Sequence, residues 1–188
     1  EGAIKEVSEL LDKLVKAVKT AEGASSGTAA IGEVVADADA AKVADKASVK
    51  GIAKGIKEIV EAAGGSEKLK AVAAAKGENN KGAGKLFGKA GGAAGDSEAA
   101  SKAAGAVSAV SGEQILSAIV KAAGAAEQEG KKPEEAKNPI AAAIGDKDGG
   151  AEFNHEMKKD DQIAAAIALR GMAKDGKFAV KDGEKEKA

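Results

Sequence analysis

The sequence predicts an all-α fold, an irregular helical bundle with long Gly-rich loops, and three observations predict it. Alanine makes up much of the 44% hydrophobic content, and it has the highest intrinsic helix propensity. The larger apolar residues recur at spacings of three and four, the period of a helix buried along one face. Glycine, with 25 residues, gathers between these periodic stretches, where helices stop.

At 188 residues the chain is expected to form a single helical domain, 1–188. Val, Ile, Leu and Phe together are only 34 of those residues, few enough for disorder to be weighed. A net charge of −1 lacks the excess that keeps a chain open, and the apolar residues are periodic rather than scattered. A core built largely on Ala buries little area per contact. Closely approaching helices and modest stability follow.

Charge and composition exclude several function classes. With 29 basic and 30 acidic side chains there is no electrostatic reason to expect nucleic acid as a partner. Three Phe, no Tyr and no Trp leave no stacking platform for single strands or RNA. The absence of Cys removes disulfides and thiolate chemistry. No run approaches 18 apolar residues, so no membrane-spanning helix is expected. The chain opens on Glu1 rather than Met, so a segment or processed form is expected.

The first helix is the clearest. Ile4, Val7, Leu11, Leu14 and Val18 make one stripe, with Leu10 and Val15 beside it, and glycines 23 and 27 end it. A second helix is predicted over 29–43. A third, over 48–63, carries Ile52, Ile56, Ile59 and Val60, and Gly64-Gly65 stops it. Gly51 and Gly55, four apart, suit tight helix packing. Ser66 is expected to cap a fourth helix over 67–76. Residues 77–95 read as a long loop with one short turn at 85–89, since Leu86-Phe87 is their only large apolar pair.

Asp96 or Ser97 caps the next helix, to residue 110. Ser111 and Gln114 fit a capping box ahead of Ile115, Leu116, Ile119 and Val120. Pro133 with Glu134-Glu135 reads as a helix start, interrupted at Asn138-Pro139, with a short turn over 140–144. After a loop over 145–154, the last strong helix runs over 158–174 with Ile163, Ile167, Leu169 and Met172, and Asp175-Gly176 ends it. The tail 181–188 is expected to fray. Ile-Ala-Ala-Ala-Ile occurs at 140–144 and 163–167, and Lys-Asp-Gly at 147–149, 174–176 and 181–183. The irregular spacings do not define a solenoid.

Motifs that would carry chemistry fail on their partners. Gly77-x4-Gly82 continues Ala83-Gly84, without the Lys and hydroxyl of a phosphate loop. Asp146-x-Asp148 begins like a calcium loop, but its twelfth position is Met157 and its fifth is Gly150, so a solvated polar turn is expected. His155, the single histidine, is followed by Glu156 but faces Lys159 where a second zinc-ligating His would stand. It reads as a surface residue. No catalytic, cofactor-binding or metal-binding residue is nominated, and no enzyme is expected.

One stretch is far more specific. It opens Met157, Lys158, Lys159, Asp160, Asp161, Gln162 and continues through Ile163, Ala164, Ala165, Ala166, Ile167, Ala168, Leu169, Arg170, Gly171, Met172 and Ala173. It closes on Lys174, Asp175, Gly176, Lys177, Phe178, Ala179, Val180 and Lys181. This segment resembles the sixth invariable region of the VlsE family, the antigenically variable surface lipoproteins of Lyme disease spirochaetes. Glu1-Gly2-Ala3-Ile4-Lys5 resembles the peptide encoded by the direct repeats that flank the family's recombining cassettes, and the residues between resemble the cassette.

The resemblance implies a helical bundle and a surface antigen that evades antibodies by recombination, lipid-anchored at the outer membrane of the full-length protein. Host antibodies are the implied partner, with residues 157–181 as the immunodominant epitope on a largely covered helix. It implies variable loops at 23–28, 77–95 and 145–155. It also implies that the family's lipid anchor and terminal helices lie outside this chain. An apolar helix face is then expected to be uncovered, with the stripe of residues 4–18 as the candidate, inviting weak self-association. The alternative function is a surface adhesin or binding module for a host ligand, for which no aromatic hot-spot cluster stands out. A lipid-surface helix is disfavoured, since the first helix carries acids and bases alike.

Overall fold

In a computed structural model, residues 2–25, 32–36, 43–88, 95–126 and 128–184 are described. The regular structure is almost all helix, as expected, and irregular stretches such as 71–80 and 145–154 connect the helices. Helix α1 spans Gly2–Ala24 and α2 Lys46–Ala62. Asp45 caps α2 by accepting from the Ser48 amide at 2.7 Å, and Gly64, at φ +68°, turns the chain away beyond it.

The two helices pack along a seam of small residues. Gly55 lies so close to α1 that an added Cβ would stand 2.6 Å from Ala21 Cβ and 2.7 Å from its backbone nitrogen. This contact uses one side of α1, where Ala17 is buried. Of the stripe expected to be uncovered, Ile4, Val7, Leu11 and Val18 are 49–77% exposed, as is Val15 beside it, while Leu14 is half-buried. Gly55→Ala sets two effects against each other. Helix propensity gains about 1 kcal/mol, while overpacking costs about 1–3 kcal/mol. A net loss of about 1 kcal/mol is expected in urea unfolding, with faster amide exchange along α1. An unchanged midpoint would show that the close approach does not matter.

Four expected elements differ. The helix predicted over 29–43 is not there in its described part: Val34–Val35 form a strand, β1, paired in parallel with β2, Phe178–Ala179. Two β-branched residues fit a pleated ladder better than a helix. Ile31 and the rest of that expectation, apart from Gly32–Ala36 and Val43, lie outside the described residues. The fourth helix, α3, stops early, at Ser66–Lys70, and Gly65 rather than Ser66 takes the cap position, without a side-chain bond. Carbonyls at its end and beyond are taken by side chains of α5, Gly112–Ala123: Ser117 Oγ donates to Leu69 O and Gln114 Nε2 to Ala73 O. Pro133 starts only a turn, closed by the Glu135 and Ala136 amides on Lys132 O. The helix begins at the second proline, α6 over Pro139–Ile144, where Asn138 accepts from the Ala141 amide.

The largest difference lies in the stretch read as a loop. Residues 81–87 form a 3-10 helix, Lys81–Phe87, with Ala83, Leu86 and Phe87 buried. Its glycines serve close packing. A Cβ on Gly84 would sit 2.6 Å from Phe153 N, and one on Gly88 would sit 2.1 Å from Gly149 O. Residues 89–94 lie outside the described residues. Helix α4, Ser97–Ser108, is capped by Asp96, and α5, Gly112–Ala123, carries the full Ser111–Gln114 capping box. The two meet at 100°. A second 3-10 turn, His155–Lys158, leads into α7, Asp160–Met172.

Two apolar clusters fill the interior. One gathers Leu86, Phe87, Phe153, Met157, Ile163, Phe178 and Val180 with small residues of α4 and α6. The other gathers Val49, Ile52, Ile119, Ile140, Ile144 and Leu169. Helix α7 contributes to both, Ile163 and Ala166 to the first, Ala165 and Leu169 to the second. It is therefore the centre of the bundle. No single helix among the described residues is long and apolar enough to cross a membrane.

Candidate functional site

The one segment nominated from sequence, 157–181, is the central strut of the fold. Of its 25 residues only Lys174 and Asp175 are exposed, and 15 are buried, Met157, Asp160, Asp161 and Arg170 among them. The expected apolar face is partly as read. Ile163 and Leu169 are fully buried, while Ile167 and Met172 are half-buried. Alanines 164, 165 and 166 are sealed as well, so the helix has core on nearly every side. Its two carboxylates, Asp160 and Asp161, are buried as well.

Asp160 and Asp161 enter at the α7 N-terminus, where unpaired amides and the helix dipole favour negative charge. Asn80 Nδ2 donates to Asp160 Oδ1 at 2.8 Å, and the Asp160 amide donates to Gly77 O at 3.1 Å. Gly77 presses on this carboxylate so closely that a Cβ would fall 2.0 Å from Oδ2.

Arg170 closes the other end. It is 1% exposed. Its Nε donates to Lys177 O at 2.7 Å, and Nη1 to Ala143 O at 2.9 Å and Ile144 O at 3.3 Å. The latter two carbonyls belong to the last turn of α6, which has no helical partner for them and carries the negative end of the helix dipole. The guanidinium also lies 5.5 Å from the Phe87 ring centroid. Burial pushes its pKa down to about 10. Phe87 in turn meets Phe153 at 5.1 Å and Phe178 edge-on at 5.4 Å. All three phenylalanines of the chain thus form one group beside the buried arginine.

Beyond Arg170 the chain reverses at Asp175, φ +57°, and runs extended. The Phe178 and Val180 amides donate to Glu33 O and Val35 O. On the other side Gly95 N donates to Ala179 O, and Lys181 N to Gly95 O. Lys177 pairs with Glu33 at 3.0 Å and Lys181 with Asp96 at 3.2 Å. The Ala99 amide and Lys181 together hold the Asp96 carboxyl below its usual range. Lys181 is therefore tied down, unlike the frayed tail expected from 181 onward, while residues 185–188 lie outside the described residues.

Nothing in this arrangement gathers reactive groups. His155 is exposed, at φ +50°. Asp146 accepts from the Asp148 amide, the polar turn expected there. No group of three metal-ligating His, Asp or Glu occurs among the described residues. A cleft of about 540 Å³ between α1 and α2 is lined by four acids and two bases, Glu6, Glu9, Glu58 and Glu61 with Lys13 and Lys16. Sequence reasoning missed the burial of Arg170 and the joining of the three Phe. The scarcity of aromatics was the available signal, because so few large rings have to pack somewhere.

The fold and its sealed strut define an alanine-rich helical domain organised around one buried helix. The chain belongs to the Borrelia lipoprotein family, whose sequence profile matches residues 1–188. It is 37% identical to variable large protein 17 of Borrelia hermsii over 97% of its length, and 38% identical to variable large protein 4 of the same organism over 95%. It spans about half of these curated relatives, 52% of each. Among solved structures it matches the Lyme disease variable surface antigen VlsE of Borrelia burgdorferi, with 96% identity and a TM-score of 0.97. That match covers 100% of this chain and 69% of the other.

Proposed function

We propose that this chain is the cassette portion of an antigenically variable outer-surface lipoprotein, serving immune evasion by antigenic variation and carrying no catalytic activity. The observation that carries the reading is its 96% identity, across its whole length, to a variable surface antigen. The partner is host antibody. The full-length protein stands at the cell surface on a lipid anchor in the outer membrane. The arrangement of the fold supports this reading. Loops exposed on a scaffold accept substitution, whereas a helix with core on nearly every side does not. Residues 157–181 act as the shared epitope, reached by antibody chiefly when the helix is released from the bundle. No observation favours the adhesin alternative.

The test is binding of Lyme-disease convalescent serum to the folded chain and to the free peptide 157–181. Strong binding to the peptide and roughly tenfold weaker binding to the folded chain are expected, since about 1.4 kcal/mol of helix release suffices for that ratio. Serum that ignores both samples would sink the antigen reading. Equal binding to both would sink the covered-epitope part alone.

A further inference from the structure

We infer that Asp182–Gly183 is a site of spontaneous aspartate isomerisation, and that the fold suppresses the same reaction at the two other copies of its motif. Lys-Asp-Gly stands at 147–149, 174–176 and 181–183. In such a pair the glycine nitrogen attacks the aspartic Cγ. An N–Cγ bond forms, the amide proton and the carboxyl OH depart as water, and a five-membered succinimide results. Water then reopens the ring. Opening at Cγ restores aspartate. Opening at the main-chain carbonyl breaks the original peptide C–N bond and leaves the chain running through Cβ and Cγ, with a free α-carboxylate. The net mass is unchanged, and water is the only co-reactant.

The step needs a glycine amide free of hydrogen bonds and room for the aspartate to rotate onto it. Gly149 offers neither. Its amide donates to Asp146 O at 3.1 Å, and a Cβ there would lie 2.7 Å from Pro133 Cδ. Gly176 is more confined still. It is buried, its amide donates to Ala173 O at 3.1 Å, and a Cβ would overlap Arg170 O at 1.7 Å. Gly183 is exposed with φ +79°, and a Cβ there would meet nothing within 4 Å. No hydrogen bond from its amide occurs among the described residues, and the turn is held by the Glu184 amide on Lys181 O.

The experiment ages the folded 188-residue chain at physiological temperature and near-neutral pH. Cleavage after Phe153 and Phe178 then puts the three motifs on separate fragments. Isoaspartate is read as an isobaric second peak and as methyl uptake with an isoaspartyl methyltransferase. The fragment 179–188 is expected to accumulate it roughly tenfold faster than the other two, whose amides must first leave a hydrogen bond. In urea the three rates should converge, and Asp182→Glu, which would require a six-membered ring, should silence the fragment. Equal rates in the folded chain, or no isoaspartate on 179–188, would overturn the proposal. Rates that stay apart in urea would overturn its claim that the fold is the cause.

Discussion

Arg170→Ala is expected to cost about 3–5 kcal/mol, from buried carbonyls left without a side-chain donor and a large side-chain volume left empty. The substitution strips the side-chain donors from Lys177 O and Ala143 O and leaves Ile144 O to the Ala44 amide alone, and each buried acceptor left unsatisfied costs about 1–3 kcal/mol. It also empties the space beside the Phe87 ring. Against this stands the relief of an expensive desolvation, the same burial that lowers the guanidinium pKa. Attraction to the α6 carbonyls has to exceed that cost for the arginine to stay sealed, so relief offsets only part of the loss. Total stabilities of domains this size run to about 5–15 kcal/mol, so about a fifth or more is at stake. Arg170→Met separates the contributions, keeping much of the volume while losing every donor. With no Trp or Tyr in the chain, far-UV circular dichroism in urea is the suitable readout. A variant within about 1 kcal/mol of the parent would show that the carbonyls find other donors.

Phe87→Ala should be of similar size, about 3–5 kcal/mol, the usual range for emptying a buried aromatic site. Phe87 is the member of the group that touches both other rings and the guanidinium. Its loss therefore removes two ring contacts and a cation–π contact along with its buried area. Phe87→Leu should recover more than half of the loss. Because Phe87 and Arg170 touch, the double variant should be less destabilised than the two single losses added together. Strict additivity in the same urea experiment would mean that the cation–π contact carries no energy.

The helices were legible where one face is apolar and the ends are chemically marked. Ser111 with Gln114, Asp96 and Gly64-Gly65 set their boundaries within a residue or two, because capping is local chemistry. What was not legible depends on partners distant in sequence. Val34–Val35 look helical among alanines until Phe178–Ala179 supplies a ladder. Residues 81–87 look like a loop because glycine is counted as a breaker, whereas Gly84 and Gly88 admit backbone from 149–153. Pro133 and Pro139 carry similar start signals, and only Asn138 has the side chain that accepts from the first turn. The segment 157–181 was recognisable by resemblance, and its apolar positions already agreed with burial. The buried arginine at its centre was not foreseen, since periodicity assigns charged residues to the surface.

The strand Phe178–Ala179 lies between Val34–Val35 and the isolated bridge partner Gly95. Both flanking segments are synthesised long before it. A nascent chain that has not yet reached Arg170 therefore has two Phe rings waiting for a third, and α6 carbonyls waiting for a guanidinium. Closing so long a loop carries its entropic cost before any contact repays it. The interior of this domain is completed only once Phe178–Ala179 has left the ribosome, which keeps the residues before it loose and threadable until then.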